Sequence, residues 1–300
     1  MSANQEPPVW RSLLYVPVNV ERFISKATER GADGLIIDLE DSIPAGEKDQ
    51  ARSMLADVVD RLAKPGLCDL LVRINQPLEL AVRDIEAAVI PNVAGLAISK
   101  VEGPEHIRLL DELVSRLEAA RGLAPGGIRF LGSIEAPGPL FRAEATATAS
   151  KRLVGMSLGT EDYATAIGGV PSEDVMLVPK QMVLQAARAA GKMAFGTMGS
   201  VAGFSDLEAY ASGARRAASF GFSGSPCIHP SQVPILNEAF TPSQDEIAQA
   251  EKIVAVDREF ADRGRGSFSV EGKMIDVPIV ERAEALLAKA RAIARRSGKG

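Results

Sequence analysis

Eight apolar runs of strand length recur along the chain at a spacing of roughly 30 residues, and a helical segment follows each one. The runs begin near residues 12, 34, 69, 95, 128, 153, 192 and 225. Strict alternation of strands and helices predicts an all-parallel sheet, and eight such units in about 230 residues predict a closed (β/α)8 TIM barrel. The alternative is a doubly wound open sheet. The turn after the first strand, VPVNVE, lacks the Gly-rich phosphate loop typical of that fold.

The two ends of the chain fall outside this alternation and predict separate segments. Residues 1–10 are polar and contain proline, which predicts an N-terminal arm, and residues 11–230 predict the catalytic barrel. Residues 231–300 predict a C-terminal helical extension, in which the Gly-rich stretch RGRGSFSVEGKMIDVP indicates an exposed flap or hairpin. Within the barrel, Pro179 predicts that the helix after the sixth strand either begins near this residue or breaks there.

Composition and charge exclude several classes of function. The chain has 300 residues, 46% of them hydrophobic, and a net charge of −5 without a basic stripe, which argues against nucleic-acid binding. No apolar run approaches the roughly 18 residues of a membrane span, and the start MSANQEPPVWRS lacks an apolar signal core. Cys68 and Cys227 have no CxxC spacing, and only His106 and His229 could add to a zinc site. These features predict a cytoplasmic protein without zinc.

Polar side chains collect where the predicted strands end. Because parallel strands of a β/α barrel end at one rim, and the chemistry of such barrels gathers there, these residues are expected to meet. Charges at the tips of strands that are otherwise buried on both faces indicate a functional site. The residues are Asp38, Glu40, Asp41, Arg73, Asn75, Lys100, Glu135, Asp162 and His229.

Two of these acids, Glu135 and Asp162, follow consecutive predicted strands. Side by side without a cation, two carboxylates would repel each other and raise a pKa. A divalent metal removes this conflict, and one or two carboxylates completed by waters and substrate suit Mg²⁺. The alternative is that each acid only caps the helix after its strand. The matched positions at two neighbouring strand ends favour a magnesium site.

Seven motifs, in order, resemble the citrate lyase β-subunit-like family of HpcH/HpaI-type CoA-ester lyases, which includes citryl-CoA, malyl-CoA and citramalyl-CoA lyases. The resemblance extends from Arg11 to about Ala288 and is specific to the family rather than to one substrate. It implies a β/α barrel with a lid in the C-terminal extension, Mg²⁺ dependence and usually a homotrimer. The motifs are RSLLYVP, GLIIDLEDSIPAGEKDQAR, LVRIN, SIEAPGPL, LGTEDYA, CIHPSQVPILNEAFTPS and EGKMIDVPIVERA.

The resemblance also implies a reaction and the residues for it. The reaction is reversible carbon–carbon cleavage of a 3-hydroxyacyl-CoA into an acyl-CoA and a 2-oxoacid. Glu135 and Asp162 match the metal ligands, and Arg73 matches the arginine that holds the oxoacid. Asp276 matches an aspartate on a lid that closes over a neighbouring subunit's site, where a mobile carboxylate can move a proton.

Further positions match the substrate contacts of the family. The backbone of Gly159, Thr160 and Glu161 matches the cradle of the oxoacid carboxylate. The positions that contact CoA are matched by Tyr15, Arg22, Lys26, Lys48, Ile228 and His229.

Several of these residues have a plainer interpretation. Arg73 is alternatively the buried ion-pair partner of Asp38 or Glu40. Lys26 and Lys48 lie on predicted helices and are alternatively solvated charges. His229 alternatively caps the last strand, and Asp276 is alternatively a turn residue.

Three other functions remain open on the same barrel. A thioesterase would use the same metal and acid pair and release free CoA. One subunit of a multi-protein lyase would use a thioester carried by a partner protein. A non-catalytic binding protein would keep the fold without turnover.

Overall fold

The computed structural model describes residues 7–199, 206–261, 268–270 and 273–298. The chain divides into two compact units, residues 1–240 and 241–300. The first unit extends ten residues past the predicted end of the barrel, because the helix Gln232–Ala239 contributes the buried side chains Val233 and Leu236 to its hydrophobic core. The domain boundary at residue 230 stays a prediction.

Eight parallel strands make up the sheet of the first unit. Its order is β7-β6-β5-β4-β3-β2-β1-β8, so β1 pairs with both β2 and β8. A bridge between Phe195 and Gly224 joins β7 to the start of β8, and the N–H of Gly196 donates to the carbonyl of Gly224 at 2.9 Å. The predicted β/α barrel is confirmed. The strands are β1 Ser12–Pro17, β2 Gly34–Asp38, β3 Asp69–Ile74, β4 Val93–Ile98, β5 Arg129–Ile134, β6 Leu153–Leu158, β7 Met193–Phe195 and β8 Ser225–Cys227.

Helices follow the strands around the barrel. Between β1 and β2 the predicted single helix is instead a short α-helix followed by a 3₁₀ turn, Ala27–Arg30, that ends at Gly31 in the left-handed conformation. The helices of this unit are α1 Glu21–Ile24, α2 Lys48–Leu62, α3 Leu78–Ala88, α4 Pro104–Ala120, α5 Pro137–Leu140, α6 Ala143–Ala147, α7 Thr160–Ala166, α8 Glu173–Ala189, α9 Leu207–Phe220 and α10 Gln232–Ala239.

Pro179 lies inside α8, so the predicted start or break at this residue is wrong. The helix begins earlier, at a Ser172 cap whose side chain accepts a hydrogen bond from the Val175 N–H. Proline costs a helix one hydrogen bond, but Pro179 is buried along with Met176 and Val183. Packing of this apolar face against the barrel outweighs the lost bond.

The interior of the barrel is apolar at its base and polar at its rim. One buried cluster contains one residue from each of the strands β1 to β5 and from β7: Leu13, Ile36, Leu71, Ala97, Leu131 and Phe195. Trp10 closes the base, because its side chain is only 2% exposed and its indole N–H donates to Asp69 Oδ2 at 2.6 Å. Trp10, the last residue of the predicted N-terminal arm, is therefore packed into the barrel, and the arm itself stays a prediction. Asp38 lies two residues after Ile36 on β2, and Arg73 lies two residues after Leu71 on β3, so both are on the same inward face as the apolar cluster.

The second unit consists of α11, Gln244–Ala261, a two-stranded antiparallel sheet and α12, Val277–Arg296. The sheet pairs β9, Phe268–Val270, with β10, Lys273–Ile275, and so forms the predicted hairpin. Residues 262–267 and 271–272 of the predicted flap lie outside the described residues. Among the helices that are described, none has the length and apolarity needed to cross a membrane.

Candidate active site

Arg73 is the centre of an ion-pair cluster at the rim of the barrel. Strand pairing places it beside Asp38, and its Nε and Nη2 donate to the two carboxylate oxygens of Asp38 at 2.7 and 2.6 Å. Its Nη1 lies 2.9 Å from Glu40 and 3.3 Å from Asp41. The guanidinium also lies 4.7 Å from the centre of the Tyr15 ring. The ion pairs named above as the alternative for Arg73 are therefore present.

Burial and the neighbouring charges shift the pKa values of the acids in this cluster in different directions. Burial alone would raise the pKa of Asp38, but the Arg73 guanidinium and hydrogen bonds from Ser42 and from the Glu40 N–H hold it below its ordinary value. Burial raises the pKa of Glu40 above its ordinary value, although Arg73 and Lys100 oppose this. Arg73 thus supplies a fixed positive charge on the barrel axis side of β3.

Lys100 joins the Arg73 cluster to the acids of the neighbouring strands. Its Nζ donates to Glu40 Oε1 at 2.6 Å and lies 3.5 Å from Asp41 and 3.9 Å from Asp162. Its backbone N–H donates to Glu135 Oε1 at 3.3 Å. Burial lowers the pKa of Lys100, but the hydrogen bond to Glu40 and the surrounding acids raise it above its ordinary value.

Glu135 follows β5 and Asp162 lies in the first turn of α7, just beyond β6. The two strands pair from Phe130 to Ile134, and the Gly159 N–H donates to the Ile134 carbonyl at 2.9 Å. Burial, with a smaller contribution from the Asp162 charge, raises the pKa of Glu135 to about 7. Hydrogen bonds from Ser133 and from the Lys100 N–H act in the opposite direction.

The donor set at this point fits Mg²⁺. Glu135 and Asp162 offer hard oxygen ligands. A divalent cation would offset the cost of burying the Glu135 charge and its repulsion by Asp162, the two effects that raise the Glu135 pKa. Within the part of the chain that is described, no group of three or more His, Cys, Asp or Glu side chains is arranged to hold a metal. A two-carboxylate site leaves the remaining positions to water and substrate, which is the usual arrangement for Mg²⁺.

The backbone proposed as a carboxylate cradle lies at the junction of β6 and α7. Gly159 is the N-cap of α7, and Thr160 is buried at its first position. A Cβ added to Gly159 would lie 2.5 Å from Glu135 Cγ. Glycine at this position therefore allows the Glu135 side chain to pack directly against the backbone.

The six residues expected to contact CoA lie on or after β1, β2 and β8 and differ in their exposure to solvent. Tyr15 lies inside the barrel under Arg73, and burial raises its pKa to about 12. Lys48 begins α2, and its Nζ donates to the carbonyls of Leu39 and Glu40 at 2.9 and 2.6 Å, so it also holds the loop after β2. The remaining four side chains, Arg22, Lys26, Ile228 and His229, are exposed.

Asp276 belongs to the second unit, where it is the N-cap residue of α12. Its Oδ1 is buried without a hydrogen-bond partner among the described residues. A buried carboxylate oxygen without a donor is costly. The role of Asp276 stays a prediction.

Two contacts of this rim were missed in the sequence. Ser133 donates to Glu135, and the signal was its position two residues earlier on the same face of β5. Lys180 is buried on α8, and its Nζ donates to the carbonyls of Thr197 and Gly199, both at 2.7 Å. The signal was a lysine among the apolar positions of a predicted helix. Burial lowers its pKa to about 8.

Comparison with known proteins gives a consistent assignment. The family model for HpcH/HpaI aldolase/citrate lyase matches residues 11–230. Citrate lyase subunit beta from Haemophilus influenzae is 33% identical and the alignment covers 94% of this chain and 97% of the relative. The mitochondrial citramalyl-CoA lyase of Mus musculus is 32% identical, with 94% and 86% covered.

Solved structures agree. CitE from Mycobacterium tuberculosis in complex with magnesium, acetoacetate and coenzyme A has a TM-score of 0.73, 29% identity, and coverage of 93% of this chain and 97% of that one. A citrate lyase beta subunit from M. tuberculosis complexed with oxaloacetate and magnesium has a TM-score of 0.64, 27% identity, and coverage of 78% and 98%. The resemblance found in the sequence motifs is confirmed: the chain belongs to the HpcH/HpaI aldolase/citrate lyase family.

Proposed function

We propose that this chain is a Mg²⁺-dependent lyase that reversibly cleaves a 3-hydroxyacyl-CoA of the citryl-, malyl- or citramalyl-CoA type into an acyl-CoA and a 2-oxoacid. The observation that carries the proposal is the Glu135–Asp162 pair at the ends of two paired strands, beside the fixed charge of Arg73. Relatives named as citrate lyase β subunits and citramalyl-CoA lyases, and relatives in complex with magnesium, oxaloacetate and coenzyme A, support it.

The geometry of the rim supports the following proposed roles. Glu135 and Asp162 hold the metal, which when bound acts as a Lewis acid toward the oxygen on which charge develops. Arg73 orients the oxoacid carboxylate with a planar, permanent cation. Asp41 is the Arg73 partner that a substrate carboxylate can replace, because it is 58% exposed and its contact with Arg73 is the longest of the three. The backbone of Gly159, Thr160 and Glu161 completes the carboxylate cradle.

The remaining roles involve the thioester and the proton. Tyr15, Arg22, Lys26, Lys48, Ile228 and His229 are proposed to contact the CoA moiety. Asp276 is proposed to exchange the proton between the hydroxyl group and the acyl-CoA carbon, from a lid over the site of a neighbouring subunit. This arrangement requires an oligomer, and we propose a homotrimer. A cytoplasmic location is proposed from the two cysteines, Cys68 and Cys227, which are both free.

A second candidate is that the chain is one subunit of a multi-protein lyase acting on a carrier-bound thioester. The relatives named as subunits of citrate lyase favour it. The two candidates share the metal site and differ in the carrier of the acyl group. Comparison of a CoA thioester with the same acyl group on an acyl carrier protein distinguishes them.

The decisive experiment mixes acetyl-CoA or propionyl-CoA separately with glyoxylate, oxaloacetate or pyruvate, with and without Mg²⁺, and follows the CoA products by mass spectrometry. A Mg²⁺-dependent adduct of matching mass supports the lyase and identifies its substrate. Free CoA instead favours a thioesterase. If none of the substrate pairs gives a product, the carrier-dependent subunit or a non-catalytic binding protein becomes the favoured assignment.

Variants of the two ligands give a matched test of the metal. Glu135→Gln and Asp162→Asn are each expected to abolish Mg²⁺-dependent turnover while circular dichroism remains that of the wild type. Near-normal turnover in either variant contradicts the assignment of metal ligands.

A further inference from the structure

We infer that Lys100 is a positioning residue that sets the affinity of the Glu135–Asp162 pair for a divalent cation and ties that pair to the Arg73 cluster. The inference rests on the metal site of the proposed function and adds a residue that none of the sequence motifs assigned to it. Lys100 is the residue through which both proposed ligands contact the acids after β2.

The first support is the position of the two polar ends of Lys100. Its N–H donates to Glu135 Oε1 at 3.3 Å, which orients that carboxylate from the backbone. Its Nζ lies 3.9 Å from Asp162 Oδ1, so the ammonium charge acts directly on the second ligand. One residue therefore acts on both members of the pair, once as a hydrogen-bond donor and once as a charge.

The second support is the backbone at this point. Lys100 has a φ of +50°, in the left-handed region that residues with a side chain rarely adopt. Its neighbours hold it there: Ser99 Oγ donates to the Ile74 carbonyl at 3.0 Å, and the Val101 N–H donates to the Ser133 carbonyl at 2.9 Å. A costly conformation fixed from both sides is typical of functional sites.

The third support is the link through Glu40. One oxygen of Glu40 accepts from Lys100 at 2.6 Å, and the other lies 2.9 Å from Arg73 Nη1. Glu40 is buried and cannot lose both partners without leaving a buried charge unpaired. The ammonium of Lys100 is thereby held beside Asp162 rather than released to solvent, where its charge would be screened.

The consequence is a defined sign for a charge-removing variant. Lys100→Met removes a cation close to the metal position, so the carboxylates attract Mg²⁺ more strongly. Removal of a unit positive charge that lies 3.9 Å from Asp162 Oδ1 is expected to lower the Mg²⁺ dissociation constant by about tenfold. Lys100→Arg keeps the charge and is expected to stay within about threefold of the wild type.

Isothermal titration of the whole 300-residue chain with Mg²⁺, in the absence of substrate, measures this change in the dissociation constant directly. The matched control is Lys64→Met, which removes the same charge from an exposed loop before β3, at the opposite end of the barrel. Lys100→Gln replaces Lys100→Met if the latter melts below the titration temperature. The difference between Lys100→Met and the wild type is expected to shrink at high ionic strength, which a purely structural role would not produce.

The outcomes separate this inference from the function on which it rests. Tighter binding in Lys100→Met, with Lys64→Met unchanged, supports it. An unchanged or weaker affinity in Lys100→Met overturns it, while Mg²⁺ binding by the wild type and its loss in Glu135→Gln leave the proposed metal site intact. Absence of Mg²⁺ binding in the wild type refutes the metal site, and the role of Lys100 with it.

Discussion

Substitution of Gly159 by alanine tests the geometry of the site without removing any of its charges. A Cβ at this position would lie 2.5 Å from Cγ, 2.7 Å from Cδ and 3.0 Å from Oε1 of Glu135. Ordinary contact between carbon atoms is about 3.5 Å, so the Glu135 side chain must move by about 1 Å. Mg²⁺ requires ligands near 2.1 Å in nearly ideal geometry, and such a displacement removes Glu135 from its position as a ligand.

The expected effect falls on function rather than on stability. A misplacement of about 1 Å is expected to lower kcat/KM by about 100-fold and to weaken Mg²⁺ binding by at least tenfold. The backbone at Gly159 has φ −76° and ψ 98°, which alanine adopts, and loss of glycine stabilises the folded state by about 0.4–1 kcal/mol through the unfolded chain. The melting temperature is therefore expected to stay close to that of the wild type.

Steady-state kinetics, Mg²⁺ titration and thermal unfolding of the same preparation check all three expectations. The matched control is Gly46→Ala, because a Cβ added to Gly46 has no atom within 4 Å. If Gly159→Ala keeps turnover and Mg²⁺ affinity within about threefold of the wild type, the close packing of Glu135 against this backbone is not what orders the site.

Three further substitutions test the barrel and its loops. Glu118 accepts from Arg152 at 2.6 and 2.7 Å, so Glu118→Gln is expected to cost about 3 kcal/mol of unfolding free energy in urea at pH 7. Burial raises the pKa of Glu118, but Arg152 and backbone N–H groups lower it below 4.5, so the ion pair stabilises the folded state above pH 4.5. The difference in unfolding free energy between wild type and Glu118→Gln is therefore expected to narrow as the pH falls below 4.5. A difference that does not change with pH contradicts this expectation. Trp10→Ala is expected to lose about 3–5 kcal/mol in the same assay, and a loss below 1 kcal/mol would show that the base of the barrel is not closed by this side chain. Lys48→Met is expected to raise the KM of the oxoacid as well as that of the CoA ester, because Lys48 holds two carbonyls of the loop that carries the acids around Arg73; a change in the CoA ester alone contradicts this role.

The barrel was predictable because alternation of strands and helices at a regular spacing leaves few topologies. What the pattern missed depends on packing between elements that are distant in sequence. Pro179 lies inside a helix whose apolar face is buried, and α10 joins the core of the barrel although it follows the last strand. Trp10 is buried although the nine residues before it are mostly polar or proline, because its indole fills the open base of the barrel.

The sequence was sufficient to predict which residues reach the rim of the barrel. It was not sufficient to predict which residues they contact there. That Arg73 pairs with Asp38 follows from the register of β2 and β3, which a sequence pattern does not define to one residue. Whether Lys48 points to solvent or to the carbonyls of its own loop is a choice between rotamers. The contact of the Lys100 N–H with Glu135 requires a left-handed residue, for which lysine carries no sequence signal.

The pairing of β1 with β8 has a consequence for how the protein is made. One edge of β1 pairs with β2 as soon as both have been synthesised, whereas its other edge waits for a partner more than 200 residues later in the chain. Until then the growing sheet carries two unpaired edges, which are the sites where sheets associate wrongly. Closure is also a contact of very long sequence separation, and such contacts slow folding. The two strand edges that form the seam between β1 and β8 therefore stay unpaired until the last strand has been synthesised.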